Sequence, residues 1–257
     1  MNYTAPSSTG DELPSHSNNT LSNRIECYWS RRASSYGTTR RAELSSDKKS
    51  QWLGEILPYL PGKQPLRILD IGTGTGFFAI LMAQHGHTVC GIDMSEPMLE
   101  EGRIIARQHS CDVSFQKMDA GCLEFESESM DVVISRNLTW TLQDATGAYR
   151  EWHRVLRHGG ILLNFDADYG SVSFMDVVRH PGTHAHVGMD DGMMEECESI
   201  RRELPLSRES RPDWDMRTLH NAGFSHCRCD VELSSRIYTE QDETYNPVPM
   251  FAIRAMK

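Results

Sequence analysis

Three glycines at alternate positions, Gly72, Gly74 and Gly76, follow the apolar run Leu66–Ile71 and precede a second apolar run that starts at Phe77. Glycine lacks a Cβ, so such a loop can turn sharply and let a ligand rest against its backbone. A helix that begins directly after the loop presents free N–H groups at its start. The chain at this point is therefore constrained to buried strand, tight loop and helix, the opening unit of a parallel α/β sheet. Asp70, at the strand end, is placed to hold the loop or to meet a cationic ligand group.

The same unit repeats downstream. Strands are predicted over Leu66–Ile71, Thr88–Ile92 (with Asp93 at its end), Val113–Lys117 (followed by Asp119), Asp131–Ser135 and Ile161–Phe165. Helices are predicted over Phe77–Gln84, Glu96–His109 and Ala145–Leu156, the last with Ala148, Trp152, Val155 and Leu156 on its apolar face. Gly159-Gly160 should break the chain before the fifth strand. Strands alternating with helices imply right-handed βαβ units. From Asp168 to Arg211 no strand pattern is visible, and a loop that long is out of place in a compact domain. A helical insertion over the C-terminal edge of the sheet is expected there. The pattern resumes with a helix over Asp213–Ala222 and strands over Phe224–Leu233 and Val248–Met256. These two strands have no predicted helix between them and should pair antiparallel at the sheet edge. The expected fold is α/β: a doubly wound, mostly parallel seven-stranded sheet with a final antiparallel strand and a helical insertion after strand five. Ahead of the core, helices are expected over Arg24–Tyr36 and Ala42–Leu57, the second ended by Pro58 and Pro61.

Charge narrows the partners. The net charge is -10 and the sequence pI is about 5.5, whereas nucleic-acid backbones are gripped by Lys and Arg. DNA, RNA and anionic membranes are thus not expected as main partners. The seven Cys are scattered, and Cys227 and Cys229 are not in CxxC spacing, so reduced thiols are expected. Met1–Asn23 has neither the apolar run nor the basic start of a signal peptide, and no stretch approaches the roughly 20 apolar residues of a membrane span. A cytoplasmic location is expected.

The glycine loop alone leaves the ligand open. Dinucleotide enzymes place GxGxxG or GxGxxA here. Read from Gly72 that pattern fails at Phe77; read from Gly74 it fits as Gly74, Gly76 and Ala79. The surroundings carry more weight. Asp93 can accept both ribose hydroxyls of a nucleoside, and Asp119 can accept an adenine amino group. Ser135-Arg136-Asn137 ends the fourth strand where the crevice of such a sheet opens.

From about Arg24 to its end the chain resembles the class I S-adenosylmethionine (SAM)-dependent methyltransferases of small-molecule type (methyltransferase domain 11 or 25). The stretches LDIGTGTGFFA, VCGIDMSEPML, QKMDA, MDVVISRNLTWTL and EWHRVLRHGGILL carry the resemblance. It implies that Gly72, Thr73, Gly74 and Gly76 line the amino acid and ribose parts of SAM, with Asp70 near its ammonium group. Asp93 would bind the ribose hydroxyls, Met94 and Met98 would flank the adenine, and Asp119 with Ala120 would meet the adenine edge. Asn137 would face the methionine moiety and the methyl group. The helix bearing Tyr28, Trp29, Arg32 and Tyr36 resembles a lid over SAM, with Arg32 toward the SAM carboxylate and Tyr28 or Tyr36 in contact with it. The resemblance divides the chain into a disordered tail (1–22), a helical lid (23–62), a SAM-binding Rossmann-like core (63–168), a helical substrate cap (169–211) and the C-terminal part of the core (212–257). Two departures are visible. His158 stands where the family often has Pro. Asn137-Leu138-Thr139-Trp140 replaces the Asn/Asp-Pro-Pro-aromatic run of many nucleic-acid and amide N-methyltransferases.

The implied function is methyl transfer to a small-molecule acceptor on O, N, S or C, by a monomer or homodimer. The alternatives are a SAM-binding regulator without turnover and an NAD(P)-dependent oxidoreductase. His184, His186 and Asp168 are the candidate bases, and Trp140 is a candidate substrate contact. His180, His184 and His186 near Asp190 and Asp191 lack metal-ligand spacing, so no metal is expected. Glu195, Glu196, Glu198, Arg201 and Arg202 read as a charged helix face, and Arg208 and Arg211 as anion-binding candidates. Cys197, Cys227 and Cys229 do not match the spacing of thiol-rich arsenic methyltransferases.

Overall fold

A computed structural model describes residues 20–62, 65–179 and 181–257. The expected mobile tail falls largely outside them. The elements in chain order are α1 (Leu21–Leu44), α2 (Lys48–Ile56), β1 (Arg67–Ile71), α3 (Phe77–Gln84), β2 (Thr88–Asp93), α4 (Glu96–Gln108), β3 (Ser114–Lys117), β4 (Met130–Arg136), α5 (Ala145–Val155), β5 (Leu156–Ala167), α6 (Phe174–Val178), α7 (Asp191–Glu203), α8 (Asp213–Asn221), β6 (Ser225–Asp230), α9 (Leu233–Ile237) and β7 (Met250–Met256).

The seven strands lie in the order β3-β2-β1-β4-β5-β7-β6. The pairs from β3 through β5 are parallel, and β7 runs antiparallel to both β5 and β6. Period-two alternation feeds two cores, as a sheet covered on both faces requires. Ile68, Val132, Ile134 and Leu163 join α3 and Trp52 on one face. Leu69, Ile71, Val133 and Leu162 join Tyr149, Trp152 and Leu219 on the other. The strand order reverses at the β1–β4 boundary, which places a crevice at the carboxyl ends of those strands.

Three boundaries differ from the sequence reading. First, α1 is continuous to Leu44, where two helices with a gap were expected. Gly37-Thr38-Thr39 lacks an apolar stripe, yet it stays helical where Gly37 packs against α4 and the Thr38 and Thr39 hydroxyls bond the carbonyls one turn back. A Cβ on Gly37 would lie 2.9 Å from the Glu101 carboxylate of α4, so the glycine permits the close approach of the two helices. Second, Gly159-Gly160 does not separate helix from strand. β5 already starts at Leu156, and the pair sits in an irregularity between the Met130–Leu156 and Val132–Ile161 partners, with Gly159 left-handed at φ 70°. Third, the short α9 stands between β6 and β7, where no helix was expected; the two strands pair antiparallel at the sheet edge as expected, with β7 next to β5. The insertion is helical, as expected, and α7 is tied to α1 by Arg24 to Glu196 and Glu203.

Candidate functional site

The glycine loop is held from below. Asp70 is 2% exposed. Its Oδ2 accepts the Thr73 hydroxyl at 2.6 Å and the Ala79 N–H at 3.0 Å. Burial pushes its carboxyl up to about 7, against the pull of those two donors. The Thr73 N–H donates to Ile92 O at 2.9 Å, stitching the loop to β2. Gly72 is left-handed at φ 66°, and a Cβ there would stand 2.7 Å from Leu138.

Above the loop lies a cavity of about 370 Å³, within the size range of small-molecule sites. Gly72 and Gly74 form part of its floor, and Asp93, Met94, Met98, Asp119, Ala120, Asn137 and Tyr36 are on its wall. Asp93 accepts the Gly74 N–H through Oδ2 at 3.0 Å and the Ser95 N–H through Oδ1 at 2.9 Å. Burial pushes it up to about 6, opposed by the backbone donors of Ser95, Gly74 and Met94. Each Asp93 oxygen retains a lone pair after one bond. Asp119 receives the Gly121 N–H on Oδ1 at 2.7 Å, and Trp152 Nε1 donates to Ala120 O at 2.9 Å, fixing that turn from the opposite core. Asn137 is left-handed at φ 55°, a conformation Asn tolerates better than most residues. Its N–H donates to Phe165 O at 2.8 Å.

A second, smaller cavity of about 70 Å³ lies beneath the insertion. It shares Trp29, Tyr36, Arg136 and Asn137 with the first. Here a relay sets the Asn137 side chain: Asn246 Nδ2 donates to the Tyr169 hydroxyl at 2.8 Å, and that hydroxyl donates to Asn137 Oδ1 at 3.0 Å. The Asn137 NH₂ is thereby turned away from Tyr169. Trp140 lines the second cavity, with its ring 5.0 Å from that of Tyr169.

The residues expected to bind a cofactor thus divide into three groups. Tyr36, Gly72, Gly74, Asp93, Met94, Met98, Asp119, Ala120 and Asn137 share the first cavity. Asp70, Thr73 and Gly76 do not reach its wall: they build the loop, and a Cβ on Gly76 would strike Phe115 at 2.7 Å. Tyr28 and Arg32 line the second cavity instead; Tyr36, one turn beyond Arg32, lines both. Of the candidate bases, only His186 is on a cavity wall. Burial, Arg32 and His184 push it down to about 3. His184 is buried, and its Nδ1 accepts the His186 N–H at 3.2 Å. Asp168 lines neither cavity. Arg211 is an internal strut rather than an anion site, bonded to Asp215 at 2.8 Å and Asp166 at 3.0 Å. Among the described residues no group of three or more His, Cys, Asp or Glu side chains gathers as a metal site, and His180 lies outside them.

Sequence reading missed the Tyr169–Asn246 relay and the cluster around Glu43. Arg136 donates to both Glu43 oxygens, at 3.0 and 2.9 Å, and to the Tyr238 hydroxyl at 3.1 Å. Arg40 and the Trp52 indole also bond Glu43. Arg40 and Glu43 show only an ordinary i,i+3 pair in the sequence. The second arginine on Glu43, Arg136, is 93 positions further along the chain.

Residues 68–160 match the family profile described as a methyltransferase domain. The chain is 29% identical over 133 residues to the uncharacterized methyltransferase YcgJ of Bacillus subtilis, an alignment covering 50% of this chain and 53% of that protein. The chain therefore spans about half the length of that relative. It is 27% identical over 220 residues to a malonyl-[acyl-carrier protein] O-methyltransferase of Hamiltonella defensa, covering 81% of this chain and 78% of the relative. A solved structure of phosphoethanolamine N-methyltransferase 2 from Haemonchus contortus, in complex with S-adenosyl-L-methionine, superposes with a TM-score of 0.58. That match has 18% identity and covers 94% of this chain and 58% of that one.

Proposed function

We propose that this chain, whose residues 68–160 match a methyltransferase domain, is a class I SAM-dependent methyltransferase that moves the methyl group of SAM to a small-molecule acceptor. One observation carries this reading: a nucleoside-sized cavity and a second, more enclosed one meet at Asn137. The first cavity fits the cofactor. Asp93 offers two lone pairs to ribose hydroxyls, Asp119 offers its second oxygen to an adenine amino group, and Met94 and Met98 supply apolar faces for the ring. Gly72 and Gly74 leave the floor open for the amino acid part, beside Tyr36 and Asn137. Bound there, SAM supplies a methyl group already electrophilic on a positively charged sulfur.

The chain needs no covalent nucleophile for this chemistry. Its work is to align donor and acceptor and to exclude water. Trp29 and Tyr36 stand at the junction of the cavities, with rings 6.0 Å apart and nearly perpendicular. α1 is fastened across the site by Ser30 to Ser95, Lys117 to Glu26 and Arg41 to Glu101, the arrangement of a lid. The Asn137 NH₂, oriented by Tyr169, is a donor placed at the junction.

Following S-adenosylhomocysteine formation from SAM with fractionated small-molecule extract as acceptor pool tests the reading. Product in at least one fraction is expected, with loss of product in Asp93→Ala. SAM binding without product in any fraction would make the chain a binding protein. Binding of NAD but not SAM would overturn the cofactor.

A further inference from the structure

The wall of the second cavity has an uneven charge. Arg32, Arg40, Arg136 and Arg201 are on it, and among the described residues no Asp or Glu is. Two carboxylates behind the wall meet these cations. Glu43 serves both Arg40 and Arg136. Glu198 serves Arg201 and also the outward Arg202. Arg32, 9% exposed, has no carboxylate partner among the described residues; its contacts are the Tyr28 hydroxyl at 3.2 Å and the Met189 sulfur at 3.7 Å. The Nε atoms of Arg40 and Arg136 are buried and have no acceptor. The cavity therefore faces guanidinium groups in excess of the charge that compensates them, in a protein that is acidic overall.

An arginine cannot relieve this by releasing its proton. Holding an uncompensated cation out of water costs several kcal/mol, so the cavity favours an anion over a neutral or cationic group. The size of that anion is limited. A cavity of about 150 Å³ accepts benzene, and this one is about half as large, so it takes a group of a few heavy atoms. Phe174, Val172 and Val177 on the wall make a singly charged planar group less costly to desolvate than a phosphate dianion. A carboxylate also matches the fork of a guanidinium. The wall offers little to remove a proton from a neutral acceptor: His186 is held down to about 3 and burial pushes Cys197 up to about 11.

Building on the methyltransferase reading, the geometry points to a carboxylic acid as the acceptor molecule, its carboxylate seated in the second cavity against Arg32 and Arg40 and the rest of the molecule directed toward Asn137. This assigns Arg32 to the acceptor rather than to the SAM carboxylate.

The test uses the full chain saturated with S-adenosylhomocysteine and titrated with propionate, propionamide and propylammonium, near-isosteric probes of negative, neutral and positive charge, with NMR detection. Propionate should bind about tenfold more tightly than the other two, the scale of a charge-assisted hydrogen bond. Arg32→Gln should abolish that preference and leave S-adenosylhomocysteine affinity within about twofold, while Arg32→Lys should retain part of the preference and so control for packing. Equal binding of the three probes, or methylphosphonate binding where propionate does not, would overturn the carboxylate assignment. A loss of S-adenosylhomocysteine affinity in Arg32→Gln would return Arg32 to the cofactor. If S-adenosylhomocysteine itself fails to bind the wild-type chain, the methyltransferase reading falls; if it binds and no probe is preferred, this inference alone falls.

Discussion

Asp70 and Asp93 end adjacent strands and lie within one loop of each other, yet they do different work. Asp70 takes both Thr73 and Ala79 on Oδ2 and does not reach the cavity wall, whereas Asp93 uses one bond on each oxygen and faces the cavity. Sequence reading placed both near the ligand because spacing reveals that a carboxylate ends a strand, not which way it is turned. Both are raised on folding, to about 7 and about 6, above the roughly 3.9 of an unfolded Asp. The folded chain then binds more protons than the unfolded chain in that window. Their contribution to stability is fully present below about pH 4 and is lost as pH rises through 6 and 7. Asp70→Asn keeps an acceptor and cannot ionise, so the fall in Tm between about pH 5 and pH 8 should flatten; an unchanged slope would clear Asp70 of this effect. Asp93 must be ionised to accept two hydroxyls well, so SAM affinity measured by calorimetry should weaken as pH drops below about 6. Asp93→Ala should cost about 1.5–3 kcal/mol of SAM binding. Tyr169→Phe removes the donor that orients Asn137; kcat should fall by about tenfold with SAM affinity unchanged, and a loss confined to SAM affinity would contradict that role.

The element whose importance was least visible is α1. Its apolar positions announced a short helix over Arg24–Tyr36, and residues 37–41 looked like a gap before the next one. The structure shows why the helix continues: Glu43 is fully buried and receives Arg136 from the end of β4 and Arg40 from its own helix, while the Arg136 guanidinium lies 4.3 Å from the Trp52 ring. Burial pushes the Glu43 carboxyl up, but the two arginines outweigh it and hold the group ionised. A long-range ion cluster of this kind has no periodicity to read. Replacing Glu43 with Gln leaves two guanidinium groups buried against a neutral amide and should destabilise the chain by about 3–5 kcal/mol in denaturant unfolding; a change under about 1 kcal/mol would show that the cluster is solvated. β1, β2, β4 and their crossover helices were legible throughout, because their apolar runs and glycine punctuation act locally. The bulge at Gly159-Gly160 and the short α9 were not, since a bulge and a single helical turn each depend on partners supplied by other strands.

At the scale of the whole molecule, the strand order with β7 antiparallel, the glycine-floored cavity and the matched residues 68–160 agree. Among the described residues no helix is long and apolar enough to cross a membrane. The insertion that lines the second cavity was legible as a helical insertion over the sheet edge, but the residues it contributes to that cavity came without a motif. Cofactor geometry is shared across a fold and is written in short motifs, whereas acceptor recognition is assembled from distant, individually ordinary residues. The most direct measurement is a crystal structure of the chain grown with S-adenosylhomocysteine. The expected density puts the ribose on Asp93, the adenine beside Asp119 and Ala120, and the homocysteine end at Asn137 on the border with the second cavity. Density outside the first cavity, or a ribose remote from Asp93, would contradict the functional reading.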